Sequence, residues 1–261
     1  MIFNKLFQAS CYLNYLLKAK SNESLESGYI SELYQHAIIK NEPPEGFEQV
    51  EHIRSELLAK NAWIDVHDLG AGKNKPTLRR LRDIAKKSAS NKRKSILLSN
   101  LISYTKPENV FELGTSFGIS TMYMALSLPH SNVYTVEGCS QTLSIANNNF
   151  QRLNLSNIKP SNAIFEAELP RLLKTHGKAD FIFFDGNHTK QATLKYFKMA
   201  LPYVHDKTVF VFDDICHSYE MSKAWDIIID NEKVHSSVNL FQVGLVLFDK
   251  NLTKKNYILK L

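Results

Sequence analysis

The chain has 261 residues, with 32 Lys and Arg against 26 Asp and Glu, and a formal charge of +6. A content of 44% hydrophobic and 22% charged residues excludes wholesale disorder. Three widely spaced cysteines with no CxxC pair exclude a disulfide framework and a structural zinc site, and point to a reducing, cytoplasmic setting. The charge is local. Residues 73–94 hold ten basic groups and one acid, Asp83, so the other 239 residues carry −3. The excess belongs to one basic insert and not to the whole surface.

In chain order, Met1 to Leu17 reads as an amphipathic helix with Phe3, Leu6, Phe7, Leu13 and Leu17 turned inward. Lys5 is too thin a basic start, and Gln8 and Asn14 break the apolar run, so a cleaved leader is not expected. No stretch approaches the ~20 apolar residues of a membrane span. Asn41 to Gly46 is a breaker. Val50, Ile53, Leu57 and Leu58 then give Phe47 to Ala59 helical spacing. After the loop Lys73 to Pro76, Thr77 is placed to cap a helix carrying Leu78, Leu81, Ile84 and Ala85. Another helix runs from Ile96 to Tyr104. Residues 1–94 therefore read as a helical N-terminal appendage, and 95–261 as a separate domain.

From Val110 the texture becomes that of alternating strands and helices. Strands are expected at Val110 to Leu113, Asn132 to Glu137, Ile158 to Ile164, Asp180 to Asp185 and Thr208 to Asp213. Helices are expected at Ile119 to Leu128, Ser140 to Leu153, Leu169 to Lys174, Gln191 to Leu201 and Tyr219 to Ile229. Ser237 to Phe241 and Gly244 to Phe248 close the order as an antiparallel hairpin. This alternation predicts a doubly wound, mainly parallel, Rossmann-like α/β sheet of seven strands. On such sheets ligands bind at the carboxyl ends of the strands.

The first strand ends Glu112-Leu-Gly114-Thr115-Ser116-Phe-Gly118-Ile-Ser120. The two glycines allow a sharp turn and a close backbone approach, and the following helix offers amides to an anion. The second strand ends in Glu137, 19 residues after Gly118, where an acid can accept two ribose hydroxyls. The pair points to an adenosine-bearing cofactor. Glycines four apart do not fit the dinucleotide fingerprint. Asp68-Leu-Gly70-Ala-Gly72 has a similar pattern but runs into Lys-Asn-Lys-Pro, and reads as a loop.

Phe111 to Ser120 followed by Val136-Glu137-Gly138 resembles the S-adenosylmethionine site of class I methyltransferases, over roughly residues 95–248. That resemblance implies a cofactor site built from Glu112, Gly114, Thr115, Ser116, Gly118, Ser120, Glu137, Gly138 and Asp185. Glu112 and the turn 114–118 would face the methionine part, Ser120 its carboxylate, and Glu137 the ribose. The chain has Asn162-Ala-Ile-Phe165 where family members often carry an acid or polar group near the adenine.

Two apolar strands end in Asp185-Gly-Asn-His188 and Asp213-Asp214-Ile-Cys-His217. Three acids at neighbouring strand ends repel one another unless positive charge compensates, and hard oxygen ligands suit Mg²⁺, or Mn²⁺ if His188 joins them. This second constellation is similar to metal-dependent O-methyltransferases of the catechol type and to sugar O-methyltransferases with Asp-x-x-His. The resemblance implies Asp185, Asp213 and Asp214 as metal ligands, with His188 and Asp185 as the catalytic pair and His188 as general base. His217 reads as a partner or second base. Met221 and Trp225 fit core packing better than a pocket lining.

The function that follows is methylation of a hydroxyl on a small molecule. Two alternatives stay open: an RNA methyltransferase gripping phosphates with the basic insert, and a non-catalytic cofactor-binding module. A homodimer stays open too. Against RNA, Asp185-Gly-Asn-His stands where base-methylating enzymes carry Asn/Asp-Pro-Pro-aromatic, and the insert lacks interleaved aromatics.

Overall fold

A computed structural model describes residues 2–21, 25, 28–67, 77–88 and 91–261. The glycine-containing segment 68–72 and the loop 73–76, with Lys73 and Lys75, lie outside the described residues. The elements run α1 (Ile2–Lys18), α2 (Tyr29–Leu33) continuing as a π turn, α3 (Phe47–Ala59), β1 (Trp63–Val66), β2 (Thr77–Arg80), α4 (Leu81–Ser88) and α5 (Lys92–Thr105). Then come β3 (Asn109–Leu113), α6 (Ile119–Ser127), β4 (Asn132–Glu137), α7 (Ser140–Arg152), β5 (Ile158–Asn162) and α8 (Phe165–His176). The chain closes with β6 (Phe181–Phe184), α9 (Lys190–Ala200), β7 (Val209–Phe212), α10 (Tyr219–Ile229), β8 (Ser236–Leu240), β9 (Val243–Leu247) and β10 (Lys255–Ile258). This is the doubly wound, mainly parallel α/β class with antiparallel C-terminal strands.

Two compact units make up the chain: His36–Glu168, and Met1–Gln35 with Leu169–Leu261. In His36–Glu168, β3, β4 and β5 pair in parallel, with Asn109 opposite Asn132 and Val133 opposite Ile158. All five residues of β3 are buried, which is why it reads as a continuous apolar run around Glu112. Helix α5 is capped by Asn91, whose side chain accepts the Arg93 amide.

The same unit corrects one expectation. Thr77 does not start a helix; Thr77–Arg80 is a strand paired antiparallel to Trp63–Val66, and the helix begins at Leu81. Cross-strand partners explain the override, because Trp63 lies opposite Arg80 and the guanidinium sits 4.8 Å over its ring. The ribbon is tied to the start of α7: the Asp65 amide donates to Gln141 Oε1 at 2.9 Å.

In the other unit β6 and β7 pair in parallel, β9 runs antiparallel to β7, and β8 and β9 form the expected hairpin. One strand was not foreseen: β10 pairs in parallel with β8, and an isolated bridge joins Lys20 to Leu259. Phe181, Phe183, Phe210 and Phe212 are fully buried, a packed aromatic layer beneath the strand ends. Gly244 is required by its neighbour, since a Cβ there would lie 2.6 Å from Trp225. Met221 and Trp225 are core residues, with Met221 Sδ accepting from Thr193.

Of the five residues of α1 expected to turn inward, only Phe7 does so. Phe3, Leu6, Leu13 and Leu17 are exposed. Phe7 lies edge-on to Tyr219 at 5.8 Å, and the rest of the inward side is Cys11 and Tyr15. Periodicity locates an amphipathic stripe but not the side a neighbour will cover, and α1 is apolar on both. No helix among the described residues is long and apolar enough to cross a membrane.

Candidate functional site

The unit His36–Glu168 holds the glycine turn. After β3 the backbone reaches positive φ at Gly114 (109°), Ser116 (48°) and Gly118 (80°). A Cβ on Gly118 would meet Phe150 Cε1 at 2.3 Å, so both conformation and space demand glycine. Asn149 Nδ2 supports the turn from α7 by donating to the Phe117 carbonyl at 3.0 Å. Gly118 is the residue before α6, and the helix has no side-chain cap.

Glu112 is completely buried. Its carboxylate accepts from Ser120 Oγ at 2.6 Å, Thr121 Oγ1 at 2.5 Å and Thr135 Oγ1 at 2.7 Å. Burial pushes its pKa up, the three hydroxyls pull it down, and the charge of Glu137 adds to the rise. Glu112 thus organises the floor of the turn, and the Ser120 hydroxyl is turned to that task. Thr115 joins the same network through Thr135 at 2.6 Å.

Glu137 lies at the rim. Its Oε2 accepts the Ser116 amide and its Oε1 the Cys139 amide, both at 2.9 Å. One carboxylate therefore ties the turn after β3 to the turn after β4. Gly114, Ser116, Glu137 and Gly138 are half-buried and present this edge to solvent, whereas Glu112, Thr115, Gly118 and Ser120 are buried behind it. Asn162 was not singled out as a site residue, yet its Nδ2 donates to the carbonyls of Glu137 and Gly138 at 2.8 and 3.1 Å. Its position at the end of the third parallel strand was the available signal. The Cys139 thiol lies 3.6 Å from the Asp65 carbonyl, so the ribbon β1–β2 borders the same turn. Its arginines are engaged locally: Arg79 Nε donates to Thr77 at 3.2 Å, and Arg80 stacks on Trp63.

The acids and histidines belong to the other unit. Asp185 and His188 follow β6, in a turn that reaches positive φ at Asn187, and Thr189 caps α9 by accepting the Ala192 amide. Asp213 and Asp214 follow β7, with φ 56° at Asp214. The donor atoms of Asp185, His188 and Asp213 all lie within 4.8 Å of one another. His188 Nε2 is 3.7 Å from Asp185 and 4.0 Å from Asp214, and Asp214 is 3.5 Å from His217 Nδ1. The histidine rings are 6.4 Å apart. The strand ends therefore gather three carboxylates and two imidazoles. The convergent trio contains His188, while Asp214 sits between the two imidazoles as an ion partner.

The loop after β7 is braced by α1, since Gln8 Nε2 donates to the His217 carbonyl at 2.7 Å. Cys11 on α1 hydrogen-bonds Cys216 in that loop, and burial, reinforced by Cys11, pushes the Cys216 thiol up to about 12. Such a thiol is protonated and unreactive at neutral pH.

Residues 111–215 match a family described as a methyltransferase domain. Among curated proteins, a catechol O-methyltransferase of Niastella koreensis is 32% identical over 123 residues, which are 45% of this chain and 54% of that one. The chain thus spans about half the length of this relative. Among solved structures, an O-methyltransferase from Bacillus cereus in complex with SAH superposes with a TM-score of 0.56 at 18% identity, covering 82% of this chain and 94% of that one. An SAH-bound methyltransferase of Podospora anserina gives 0.57 at 14% identity, over 80% and 99%. The resemblance to class I methyltransferases stated from the residues is matched by the domain family, the curated relative and the fold.

Proposed function

We propose that this chain is an S-adenosylmethionine-dependent O-methyltransferase acting on a hydroxyl of a small molecule, with 95–261 as the catalytic domain and 1–94 as an appendage. The observation that carries the proposal is Glu137, a carboxylate held by the Ser116 and Cys139 amides at the edge of a glycine turn. A carboxylate offers about four acceptor sites and no donor, so an acid preoriented by two amides selects a vicinal pair of hydroxyls, the ribose of the cofactor. Gly114, Ser116 and Gly138 shape the rest of that edge. Glu112, with Thr115, Gly118 and Ser120, holds the turn rigid. The relatives' names, two of them O-methyltransferases, favour the same chemistry. The three free thiols suit a cytoplasmic setting.

His188 is the general base. A neutral imidazole takes the hydroxyl proton at Nε2, and Asp185 at 3.7 Å and Asp214 at 4.0 Å stabilise the imidazolium that results. With S-adenosylmethionine bound, the oxygen would attack the methyl carbon in line, the O–C bond forming as the C–S bond breaks and S-adenosylhomocysteine leaves, a step whose barrier falls chiefly through proximity and orientation. Oxygen and imidazole donors as close together as those of Asp185, His188 and Asp213 fit Mg²⁺ or Mn²⁺; with His188 serving as base, Asp214 would have to take its place as ligand, as the resemblance implies. Such a cation supplies positive charge that lowers the pKa of the substrate hydroxyl.

Calorimetric titration with S-adenosylmethionine tests the reading. Hydrogen bonds to a charged group contribute roughly 1.5–3 kcal/mol each. Glu137→Ala removes two, so its affinity should fall by about 100-fold or more. A wild-type chain that does not bind the cofactor sinks the proposal. If instead RNA binds with a steep salt dependence that is lost on charge reversal of Arg79, Arg80 and Arg82, the small-molecule assignment is wrong.

A further inference from the structure

Among the described residues, none covers the apolar outer face of α1. Phe3, Leu6, Leu13 and Leu17 are 73%, 66%, 61% and 86% exposed, and Leu16 flanks them at 49%. Their spacing of three, seven and four residues places Phe3, Leu6, Leu13 and Leu17 on one stripe, with Ser10 at its centre. From Phe3 to Leu17 the stripe is about 21 Å long. Such a patch reaches several hundred Å², the range in which exposed apolar surface on a soluble protein marks an interface.

The helix is not a loose end that another conformation would bury. Its opposite face is fixed to its own unit: Tyr15 Oη donates to the Leu259 carbonyl at 2.8 Å, Gln8 holds His217, and Tyr12 and Tyr15 pack on Phe241 at 4.9 and 5.7 Å. Docking on the inner side leaves the outer side uncovered by any of the described residues.

We propose that the partner is a second copy of this chain, docked through α1 antiparallel to α1 about a two-fold axis at Ser10. The stripe is close to symmetric about that residue, so Phe3 meets Leu17 of the partner subunit and Leu6 meets Leu13 of the partner subunit, as an isologous contact requires. Small side chains at the crossing, Ala9 and Ser10, let the backbones approach. Charge selects the antiparallel sense. The helix carries Lys5 and Lys18 and no acid, so a parallel pair would set like charges opposite each other, while the antiparallel pair separates them. A lipid surface fits less well. Interfacial helices back their apolar face with a polar face rich in Lys and Arg, and here the opposite face is buried against Tyr219 and Phe241. Because α1 holds the His217 carbonyl, pairing would also steady the loop that carries Asp214 and His217.

Sedimentation equilibrium of the full chain decides the matter without reference to its activity. The wild type should have the mass of two chains at micromolar concentration. Leu6→Glu combined with Leu13→Glu places four carboxylates in the seam, and should raise the dissociation constant by about 100-fold or more. Circular dichroism checks that this variant is folded. If it is not, Ser10→Cys supplies the second test: mild copper–phenanthroline oxidation should give a covalent dimer that the wild type, with Cys11 and Cys216 present, does not give. A monomeric wild type, a dimer indifferent to the double substitution, or Ser10→Cys chains that do not cross-link would each overturn the proposal. So would a monomer that binds phosphatidylserine vesicles through the same leucines.

Discussion

Adding one methyl group to Gly118 tests the architecture of the cofactor turn. The residue has φ 80°, and its Cβ would lie 2.3 Å from Phe150 Cε1 and 2.6 Å from Cζ. Two penalties follow. A left-handed conformation costs an L-residue about 1–2 kcal/mol. Forcing a methyl against a ring adds about 1–3 kcal/mol, because Phe150 is 5% exposed on α7 and has little room to retreat. Gly118→Ala should therefore destabilise the protein by about 2–5 kcal/mol. At roughly 2–4 °C per kcal/mol for a chain near this size, the melting midpoint should fall by about 4–20 °C.

A double-mutant cycle separates the two causes. In a Phe150→Leu background the ring edge is gone, so Gly118→Ala should cost only the backbone part, and a coupling of about 1–3 kcal/mol should appear in urea unfolding. Equal costs in both backgrounds, within about 0.5 kcal/mol, would refute the claim that Phe150 fills the space beside the turn.

The remaining predictions concern charge and chemistry. Burial holds Glu112 above its ordinary value of 4.5, so the fold favours its neutral form, and that contribution fades as pH rises through the folded pKa. The unfolding midpoint of Glu112→Gln relative to wild type should therefore shift in favour of the variant as pH is raised above 4.5; a gap constant from pH 4.5 to 8 would contradict the assignment. His188→Ala should lower kcat by about 10²–10⁴ while leaving cofactor affinity almost unchanged, and an undiminished kcat removes His188 as base. Dialysis against EDTA should lower turnover, with recovery on adding Mg²⁺ or Mn²⁺; full activity in EDTA rules out a catalytic cation.

Much of the core was legible from residue order because local and tertiary preferences agree there. Asn132–Glu137 and Tyr219–Ile229 have the bounds that the apolar pattern implies. Phe181–Phe184 and Val209–Phe212 are buried on both faces, so their composition admits little but a central strand. Strand ends then locate Glu137, Asp185 and Asp213, since a polar residue closing such a run must reach the rim.

Where local preference and long-range contact diverge, the outcome follows from contacts between distant segments. Thr77-Leu-Arg-Arg can cap a helix or form a strand, and the outcome came from Trp63, 17 residues away from its partner Arg80. The Ser120 hydroxyl, the natural candidate for a ligand's carboxylate, turned to Glu112, because a buried carboxylate must be hydrogen-bonded and three hydroxyls converge on it. His188 joined Asp185 and Asp213, and Asp214 fell between two imidazoles, for reasons set by backbone angles at Asn187 and Asp214 that composition does not reveal. Residue order alone specifies the fold class, the turn and the residue types at each strand end. Which side of α1 is covered, and which oxygen meets which donor, depended on neighbours far along the chain, since packing and hydrogen bonding act on distances in space and not on spacing in sequence.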